Sequence, residues 1–298
     1  MEHQQNLPET VLSIIVQEID EAVSLLGVCA GHEEKKWRYD ALSLDMLNWA
    51  ADWVLTHEER ASFTLSNGVA LMAKAISLIY TSEKYKNRGE IGELLLHMVL
   101  RRFLNSEQAI SRIYFKDAPN DTVKGFDAVH IVESSKSGMS GSELELWLGE
   151  SKFFTDGAGA IRAVLAELQD HLDKQYLRTE FAAISSKIDP SWKHADTLKS
   201  LLARQVSLDE VFERVVIPVF ITFDSDIIGK HQSSSPEYKA EIAEHLLAEW
   251  EGFRKKLTAK QLPREVRVQL ILMPMNTKTD LLDAFDGRLK SWQAAFQP

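Results

Sequence analysis

An aspartate, a glutamate and a lysine stand on two successive strand-like stretches of this 298-residue chain. Asp127 follows Gly125-Phe126 in the first stretch, and Glu150 and Lys152 stand at the end of the second. Because alternate residues of a strand share a face, Glu150 and Lys152 are expected on the same side. Two carboxylates and an ammonium group at the edge of a sheet can hold a divalent cation beside a phosphodiester.

Each of these residue types has a role in phosphodiester hydrolysis. The reaction needs an activated water and stabilisation of the negative charge that develops at the phosphate. Carboxylate oxygens suit Mg²⁺ or Mn²⁺, so Asp127 and Glu150 are the predicted metal ligands. A bound cation lowers the pKa of its water and acts as a Lewis acid. Lys152 is predicted to orient that water or to stabilise the developing charge.

The spacing Glu-x-Lys is weak evidence taken alone, and the surrounding sequence decides its value. Only the pair at Glu150 and Lys152 ends an apolar strand-like stretch that is preceded by a second stretch with an aspartate after a glycine. The other matches lie in polar segments, at Glu33/Lys35, Glu34/Lys36 and Glu237/Lys239.

A further carboxylate precedes these strands on a predicted helix. Glu93 is flanked by the apolar stripe of Ile91 and Leu94, which makes it a candidate metal ligand. The alternative is an acidic residue that simply favours the positive end of the helix dipole, as Glu90 also would. His97, one turn further on, is interpreted as a partly buried structural histidine.

Two kinds of segment are candidates for contacts with phosphate. The small residues 157–160 open a helix just after Lys152, where free backbone N–H groups can receive a phosphate. Tight packing of the helix on the sheet explains them equally well. The basic clusters are either phosphate contacts or ordinary solvated faces; they are Lys84/Lys86/Arg88 and Arg101/Arg102.

Composition limits the classes of protein. An apolar fraction of 45% and a charged fraction of 26% are typical of a globular protein. No apolar run approaches the length of a membrane span, and no secretory signal is evident, which predicts a cytoplasmic protein. Cys29 is the single cysteine, and its apolar neighbours favour an inert buried thiol. A net charge of −10 argues against a broad basic DNA-binding face and suggests that a partner delivers the nucleic acid.

The first part of the chain, residues 1–87, is predicted to be a mainly helical region. Apolar residues recur at helical spacing in the first of three stretches, where Gly27 is interpreted as a helix stop. The second stretch is apolar and fits one helix or two, and the third is rich in Ala, Leu and Ile. The stretches are 10–27, 40–56 and 67–80.

Residues 88–298 are predicted to form an α/β domain that carries the site. Its core has the order helix, three-strand meander, helix, strand, helix, strand. Pro218 predicts that its strand is an edge strand or contains a bulge. The helices are expected at 90–104, from Thr155 or Asp156 through 172, at 178–213 with a break near 189–190, at 236–257 and at 278–296. The strands are expected at 110–116, 123–133, 143–154, 215–223 and 266–273.

Taken with this order of elements, the residues Asp127, Glu150 and Lys152 resemble the motif of the PD-(D/E)xK nuclease superfamily. The resemblance covers roughly residues 88–275 and implies a restriction-endonuclease-like core. It also implies that Glu93 is the acidic residue often found on the preceding helix. The sequence departs from the motif where Gly125-Phe126 replaces its common proline. It also lacks the Gln-x-x-x-Tyr motif of the RecB-like branch after Lys152.

Three segments are more narrowly similar to the HamA family of Hachiman anti-phage defence systems. They are Gly89-Glu90-Ile91-Gly92-Glu93-Leu94-Leu95, Gly125-Phe126-Asp127 and Trp147-Leu148-Gly149-Glu150-Ser151-Lys152-Phe153. This resemblance implies a bacterial DNA nuclease that works with a superfamily 2 helicase subunit, HamB. The helicase would restrain the nuclease until it senses aberrant or phage DNA, and the released nuclease would degrade DNA with little sequence preference.

Two other hypotheses stay open at the level of sequence. One is a catalytically inactive adaptor that keeps the nuclease fold and binds a helicase or nucleic acid. The other is a small-molecule metallohydrolase, or a helical peptide-binding protein, in which the motif is coincidental. Side chains of Asp127, Glu150 and Lys152 pointing to opposite faces would favour the last hypothesis.

Overall fold

The computed structural model describes residues 7–79, 89–111, 125–134, 143–260, 262–263 and 265–296. It is a mixed α/β structure in which nine strands and eleven helices are defined among those residues. The strands are β1 Ser13–Glu18, β2 Val23–Cys29, β3 His32–Glu33, β4 Lys36–Trp37, β5 Glu107–Ile110, β6 Ala128–Ser134, β7 Glu143–Phe153, β8 Val215–Asp224 and β9 Arg267–Met275. The helices are α1 Tyr39–Val54, α2 His57–Ala61, α3 Gly68–Ile79, α4 Glu90–Phe103, α5 Gly157–His171, α6 Lys174–Lys187, α7 Ala195–Leu201, α8 Leu208–Phe212, α9 Asp226–Lys230, α10 Pro236–Thr258 and α11 Lys278–Phe296.

Seven of the strands form one sheet in the order β1-β2-β9-β8-β7-β6-β5. Its centre is parallel, because β2, β9, β8 and β7 run in the same direction. The two ends are antiparallel, with β1 beside β2 and the meander β5-β6-β7 at the other side. The carboxyl ends of the four parallel strands therefore lie along one edge of the sheet.

Helices cover both faces of this sheet. On one face, α5 packs against β7 and β8, and α10 packs against β1, β2 and α5. On the other face, α4 packs against β7. Helix α1 packs on α4 and also contacts α11 and α3. Burial on both faces explains why β8 is apolar over nearly its whole length, since neither side of it meets water.

The helix predicted over residues 10–27 is wrong, because this segment forms β1 and β2. Asp20 makes the turn between them, where its Oδ1 accepts hydrogen bonds from the backbone N–H groups of Ala22 and Val23, both at 3.0 Å. Gly27 is not a helix stop. A Cβ at this position would lie 2.7 Å from side-chain atoms of Val16 and Leu246, so glycine allows β1 and α10 to approach β2. Pairing with β9 outweighed the helical spacing of the apolar residues.

The edge strand or bulge predicted from Pro218 is also not found. Pro218 lies in β8 at the centre of the sheet and is paired with Gln269 of β9. Toward β7, pairing is interrupted after Trp147–Val216 and resumes in the same register at Glu150–Val219. Because proline has no N–H to donate, the sheet accommodates it as a local gap in one ladder rather than at an edge.

Most of the other predicted elements are confirmed, with shifted ends. The helices α1, α3, α4, α10 and α11 lie within two residues of their predicted bounds, and β7 ends one residue early. The strand predicted at 110–116 instead ends at Ile110 in β5, and its remainder from 112 lies outside the described residues. The strand predicted at 123–133 begins only at Ala128 in β6, and residues 123–124 of it also lie outside them.

The sheet extends across the boundary predicted between residues 87 and 88. β1 and β2 precede the boundary, yet β2 pairs with β9 near the other end of the chain. The helices of the first region, α1 and α3, pack on α11. The predicted division itself falls among residues outside the described ones and stays a prediction.

We expect Gly149→Ala to destabilise the fold by about 1–3 kcal/mol, because it overpacks a close contact between layers. A Cβ on Gly149 would lie 2.9 Å from Leu96 Cδ2 and 3.0 Å from Ala128 Cβ. Gly252→Ala on α10 is the matched control, since no atom lies within 4 Å of its added Cβ. There we expect a gain of roughly 0.5–1 kcal/mol from the better helix former. Urea unfolding measures both, and equal shifts would contradict the packing argument.

Candidate active site

The antiparallel pair of β6 and β7 brings the predicted site residues together. Ala128 is paired with Gly149, and the N–H of Asp127 donates a 2.7 Å hydrogen bond to the carbonyl of Gly149. Asp127 therefore lies just before β6, beside the residues that close β7. This pairing brings Asp127 close to Glu150 in space, although they are far apart in the sequence.

Glu150 is the most buried member of the site, with 2% of its side chain exposed. Its Oε2 lies 3.9 Å from Lys152 Nζ, and its Oε1 lies 2.6 Å from Nδ1 of His171. The second contact is the shorter of the two and pairs the Glu150 carboxylate with the His171 ring. The two oxygens of this buried carboxylate therefore each lie against a cationic or potentially cationic side chain.

Burial raises the pKa of Glu150 to about 7, and the negative charge of Asp127 acts in the same direction. The contacts with His171 and Lys152 oppose this shift without cancelling it. Burial lowers the pKa of His171, but the contact and charge of Glu150, with the charges of Glu167 and Asp127, raise it above its usual value overall. The site therefore contains a carboxylate whose charge is only marginally favoured near neutral pH.

Lys152 and Asp127 are each held in one orientation. The Lys152 ammonium forms ion pairs with Glu167 of α5 and with Glu150. Asp127 Oδ2 accepts hydrogen bonds from the backbone N–H of Ser151 at 2.8 Å and from its hydroxyl at 2.9 Å. Lys152 is therefore adjacent to Glu150, as expected from the alternation of the strand.

The two faces of β7 have different neighbours. Glu150 and Lys152 both contact α5, as the alternation of strand side chains predicted. Ser151 and Phe153 face α4, since a Cβ on Gly92 would lie 3.2 Å from Ser151 Oγ and 3.1 Å from Phe153 Cβ. The predicted side chains of this strand therefore do not point to opposite faces.

Glu93 stands on the other side of the sheet from Glu150. It lies in the first turn of α4 and is only 6% exposed. Because α4 and α5 cover opposite faces of β7, the two carboxylates can meet only around the open end of the strand. Among the described residues, no three or more His, Cys, Asp or Glu side chains are grouped closely enough to hold a metal ion. The metal role of Glu93 stays a prediction.

Three residues of the site were not found by sequence reasoning. His171 and Glu167 come from α5, and Ser151 lies between the two predicted residues of β7. His171 packs edge-on to Phe126 at 5.1 Å and stacks on Tyr176 at 4.9 Å between ring centroids. The sequence did contain a signal for two of them. His171 continues the buried apolar stripe of α5, and Glu167 precedes it by one turn on the same side of the helix.

A model of the HamA family matches residues 6–289 of the chain. The chain belongs to the HamA family. The match covers both the first region and the predicted nuclease region, so the strands β1 and β2 fall within the family's extent. HamA is a component of Hachiman anti-phage defence. No curated protein matches the sequence.

The small residues after Lys152 are used for packing in this HamA-family chain. Asp156 caps α5, as predicted, and its carboxylate accepts hydrogen bonds from the N–H groups of Ala158 at 3.1 Å and Gly159 at 2.9 Å. A Cβ on Gly157 would lie 3.3 Å from the ring of Phe223. Two N–H groups of this helix start are therefore occupied, which favours packing over phosphate binding.

The basic clusters of the HamA-family chain have different outcomes. Lys84, Lys86 and Arg88 lie outside the described residues. Arg101 is an internal structural residue rather than a solvated phosphate contact, because it binds Asp52 at 3.0 Å and the carbonyl of Ser106 at 2.7 Å.

Arg101 belongs to a buried polar network that ties α1 to α4 and β6. Asp52 Oδ2 lies 2.8 Å from His97 Nε2, and His97 Nδ1 lies 3.3 Å from His130 Nε2. His130 Nδ1 is in turn 2.8 Å from the hydroxyl of Ser106. His97 is 1% exposed, so the predicted structural role is confirmed with deeper burial than expected.

Acid is expected to weaken the fold through His130. Burial, with the charges of His97 and Arg101, holds the pKa of His130 well below its usual value, so the folded state keeps it neutral. The unfolded chain binds a proton below about pH 6.5, and stability falls as pH decreases by up to about 1.4 kcal/mol per pH unit. We expect the free energy of unfolding, measured with urea at pH values from 7 to 5, to fall less steeply with decreasing pH in His130→Asn than in the wild type. Equal slopes would show that another group carries the effect.

Among the described residues, no helix has the length and apolar character needed to cross a membrane. Cys29 is buried, and burial raises the pKa of its thiol, which agrees with the predicted inert role.

Proposed function

We propose that this protein is the metal-dependent DNA nuclease of a Hachiman system, with a restriction-endonuclease-like core of the PD-(D/E)xK superfamily. The observation that carries the proposal is the convergence of Asp127, Glu150 and Lys152 at the carboxyl end of β7. Glu150 and Lys152 both contact α5, and the Asp127 carboxylate accepts hydrogen bonds from Ser151, the residue between them.

The order of elements supports the proposed fold. The chain runs from α4 through the meander β5-β6-β7 to α5, and then through β8, α10 and β9. This is the order predicted for the nuclease core, and the candidate residues lie just before its second strand and on its third. The strands β1 and β2 extend that sheet beyond β9.

The residues at the site fit a divalent cation such as Mg²⁺ or Mn²⁺. The fit rests on the donor set, which is two carboxylates: Glu150 is buried, and the charge of Asp127 acts on it. Mg²⁺ commonly uses one or two carboxylates, with water and substrate phosphate completing its shell. Asp127 and Glu150 would hold the cation, with Glu93 as a further ligand. A bound cation would supply Lewis acidity and an activated water.

The chain's own groups have separate tasks in this proposal. The Ser151 backbone and hydroxyl fix the Asp127 carboxylate. Lys152, steered by Glu167 and Glu150, places a positive charge where a phosphate would develop negative charge. His171 contacts Oε1 of Glu150 and so orients this carboxylate. The rings of Phe126 and Tyr176 pack against His171 and position it.

We further propose that the nuclease acts in the cytoplasm with a superfamily 2 helicase subunit, HamB, which restrains it and delivers DNA. A net charge of −10 supports dependence on a partner, because it opposes unaided binding to a polyanion. Once released, the nuclease degrades DNA without marked sequence preference.

A plasmid-degradation assay tests the proposal. The chain is incubated with DNA alone, and then with its helicase, ATP and either Mg²⁺ or EDTA. We expect cleavage that requires the cation and is strongest with helicase and ATP. Cleavage of supercoiled plasmid requires endonuclease activity, whereas degradation of linear DNA alone would indicate an exonuclease.

One observation favours a second function, a catalytically inactive adaptor that binds the helicase. Both oxygens of Glu150 face cationic or potentially cationic groups of the chain, and the described residues hold no group of three metal ligands. An absence of cleavage under every condition of the plasmid assay, together with retained helicase binding, would establish the adaptor. A metallohydrolase acting on small molecules has no specific support from the site.

A further inference from the structure

A second site lies along the same edge of the sheet, beyond the carboxyl ends of β8 and β9. These strands are adjacent and parallel, but the helices that follow them lie on opposite faces, α10 on one and α11 on the other. Chains that leave neighbouring parallel strands in opposite directions open a crevice, and open α/β sheets bind ligands in such crevices. Here the crevice is a cleft of about 310 Å³, with Ile228 and Asn276 in its wall.

The short hairpin β3–β4 forms the outer wall of this cleft. It contributes Lys35, Lys36 and Trp37, and Tyr39 follows at the start of α1. The hairpin is fastened to the segment after β8, where His32 Nε2 lies 3.0 Å from the carbonyl of Ile228. The two lysines are therefore fixed beside the cleft by the backbone rather than carried on a loose loop.

The hairpin turn keeps side chains where glycine or asparagine would be favoured. Glu33 pairs with Lys36, so Glu34 and Lys35 form a two-residue turn with φ values of 49° and 65°. Two-residue hairpins with positive φ at both positions prefer Asn-Gly, and each ordinary side chain there is strained by roughly 1–2 kcal/mol. Lysine thus occupies position 35 although glycine would fit this backbone conformation with less strain.

One unmatched donor in the wall of the cleft fits a ligand that accepts hydrogen bonds. Trp37 is 5% exposed, and its indole N–H has no hydrogen-bond partner in the described part of the chain. Helix α1 begins beside it at Tyr39 without a capping hydrogen bond from its Arg38 side chain. Free N–H groups at a helix start favour an anion, and Lys35 and Lys36 add positive charge.

We propose that this cleft binds one nucleotide unit. The phosphate lies between Lys35, Lys36 and the start of α1, and the base packs against Tyr39. The amide of Asn276 and the carboxylate of Asp280, which also line the cleft, face the sugar hydroxyls. A volume of about 310 Å³ suits a ligand of this size.

The nucleotide unit has two possible sources, a free nucleotide or the end of a DNA strand. The carboxyl end of β7, with Lys152, is two strands away from β9, a distance of about 10 Å at the usual strand spacing. A strand end held in the cleft would therefore lie close to the candidate active site, while a free nucleotide would report on the nucleotide pool.

Calorimetric titration in EDTA tests the site without any metal-dependent cleavage, so its outcome is separate from that of the proposed nuclease activity. The probes are deoxyadenosine monophosphate, deoxyadenosine and a short single-stranded oligonucleotide. We expect Lys35→Ala/Lys36→Ala to weaken binding of a phosphate-bearing probe at least tenfold. Lys255→Ala/Lys256→Ala, an exposed lysine pair at the end of α10, is the matched control and should bind as the wild type does.

Lys35→Gly separates a binding role from a folding role. Glycine is favoured at a φ of 65°, so this variant should melt at the same or a higher temperature while binding the probe more weakly. Binding of the mononucleotide identifies a free nucleotide as the ligand, and binding of the oligonucleotide alone identifies a strand end. Millimolar probes that fail to bind, equal affinity for deoxyadenosine, or unchanged affinity in both lysine variants would overturn the proposal.

Discussion

Replacing Lys152 by alanine is expected to reduce DNA cleavage about 10²–10³-fold, the effect typical of removing one group that stabilises transition-state charge. The Lys152 side chain is only 12% exposed, and its ammonium group forms ion pairs with Glu150 and Glu167. Removing it leaves Glu150 without one of the two groups that favour its charged form. Both the charge at the phosphate and the charge state of the carboxylate are then altered.

Lys239→Ala is the matched control for this variant. Lys239 belongs to another Glu-x-Lys match, with Glu237, but both residues are exposed on α10. Plasmid degradation with helicase, ATP and Mg²⁺ gives the rates, and circular dichroism verifies that each variant is folded. A folded Lys152→Ala protein with more than a tenth of wild-type activity would remove Lys152 from the mechanism.

Glu150→Gln is expected to abolish cleavage while making the protein more stable. Glutamine keeps the shape of the side chain but carries no charge into a site where only 2% of it is exposed. The pKa of Glu150 is raised to about 7, against an ordinary value near 4.5. The folded state therefore disfavours the ionised form, and this penalty reaches about 3 kcal/mol once both folded and unfolded chains are ionised.

The sign of this effect fixes its pH dependence. Below about pH 4.5 both states are protonated, and the penalty is absent. As pH rises from 4.5 through 7, the unfolded chain loses its proton first, so the wild type is progressively destabilised relative to Glu150→Gln. The difference in free energy of unfolding, measured in EDTA, should therefore grow up to pH 8.

Glu237→Gln provides the comparison for Glu150→Gln. Glu237 is exposed on α10, and such surface substitutions usually change stability by less than about 0.5 kcal/mol. If Glu150→Gln is instead less stable than the wild type at pH 8, the contacts with His171 and Lys152 outweigh the burial of the charge. Retained cleavage would exclude Glu150 from the chemistry.

The candidate site was largely accessible to sequence reasoning, because its central residues lie close together on one strand. Glu150 and Lys152 share a face for a reason that depends only on the alternation of a strand. Their neighbours from α5 were harder to find. His171 and Glu167 become relevant only when α5 folds back over β7, and helix periodicity does not specify which face of a sheet a helix covers.

The fold was predictable where local signals agreed and was mispredicted where they conflicted. The helices α10 and α11 have long amphipathic patterns, and their bounds were nearly correct. The residues of β1 and β2 also fit a helical spacing, and a short apolar stretch does not distinguish the two periods. The turn at Asp20 and the pairing of β2 with β9 decided the outcome.

The sequence by itself determined which reactive groups are present: carboxylates and a lysine at the end of a buried strand, in a chain with a net charge of −10. Only the tertiary structure decided how that chemistry is arranged. It buries Glu150 beside Asp127, sets His171 against it, and places Glu93 on α4, which packs on the other face of β7. These features depend on pairing and packing between distant segments, and the free energies of those contacts are not encoded in the spacing of any one segment.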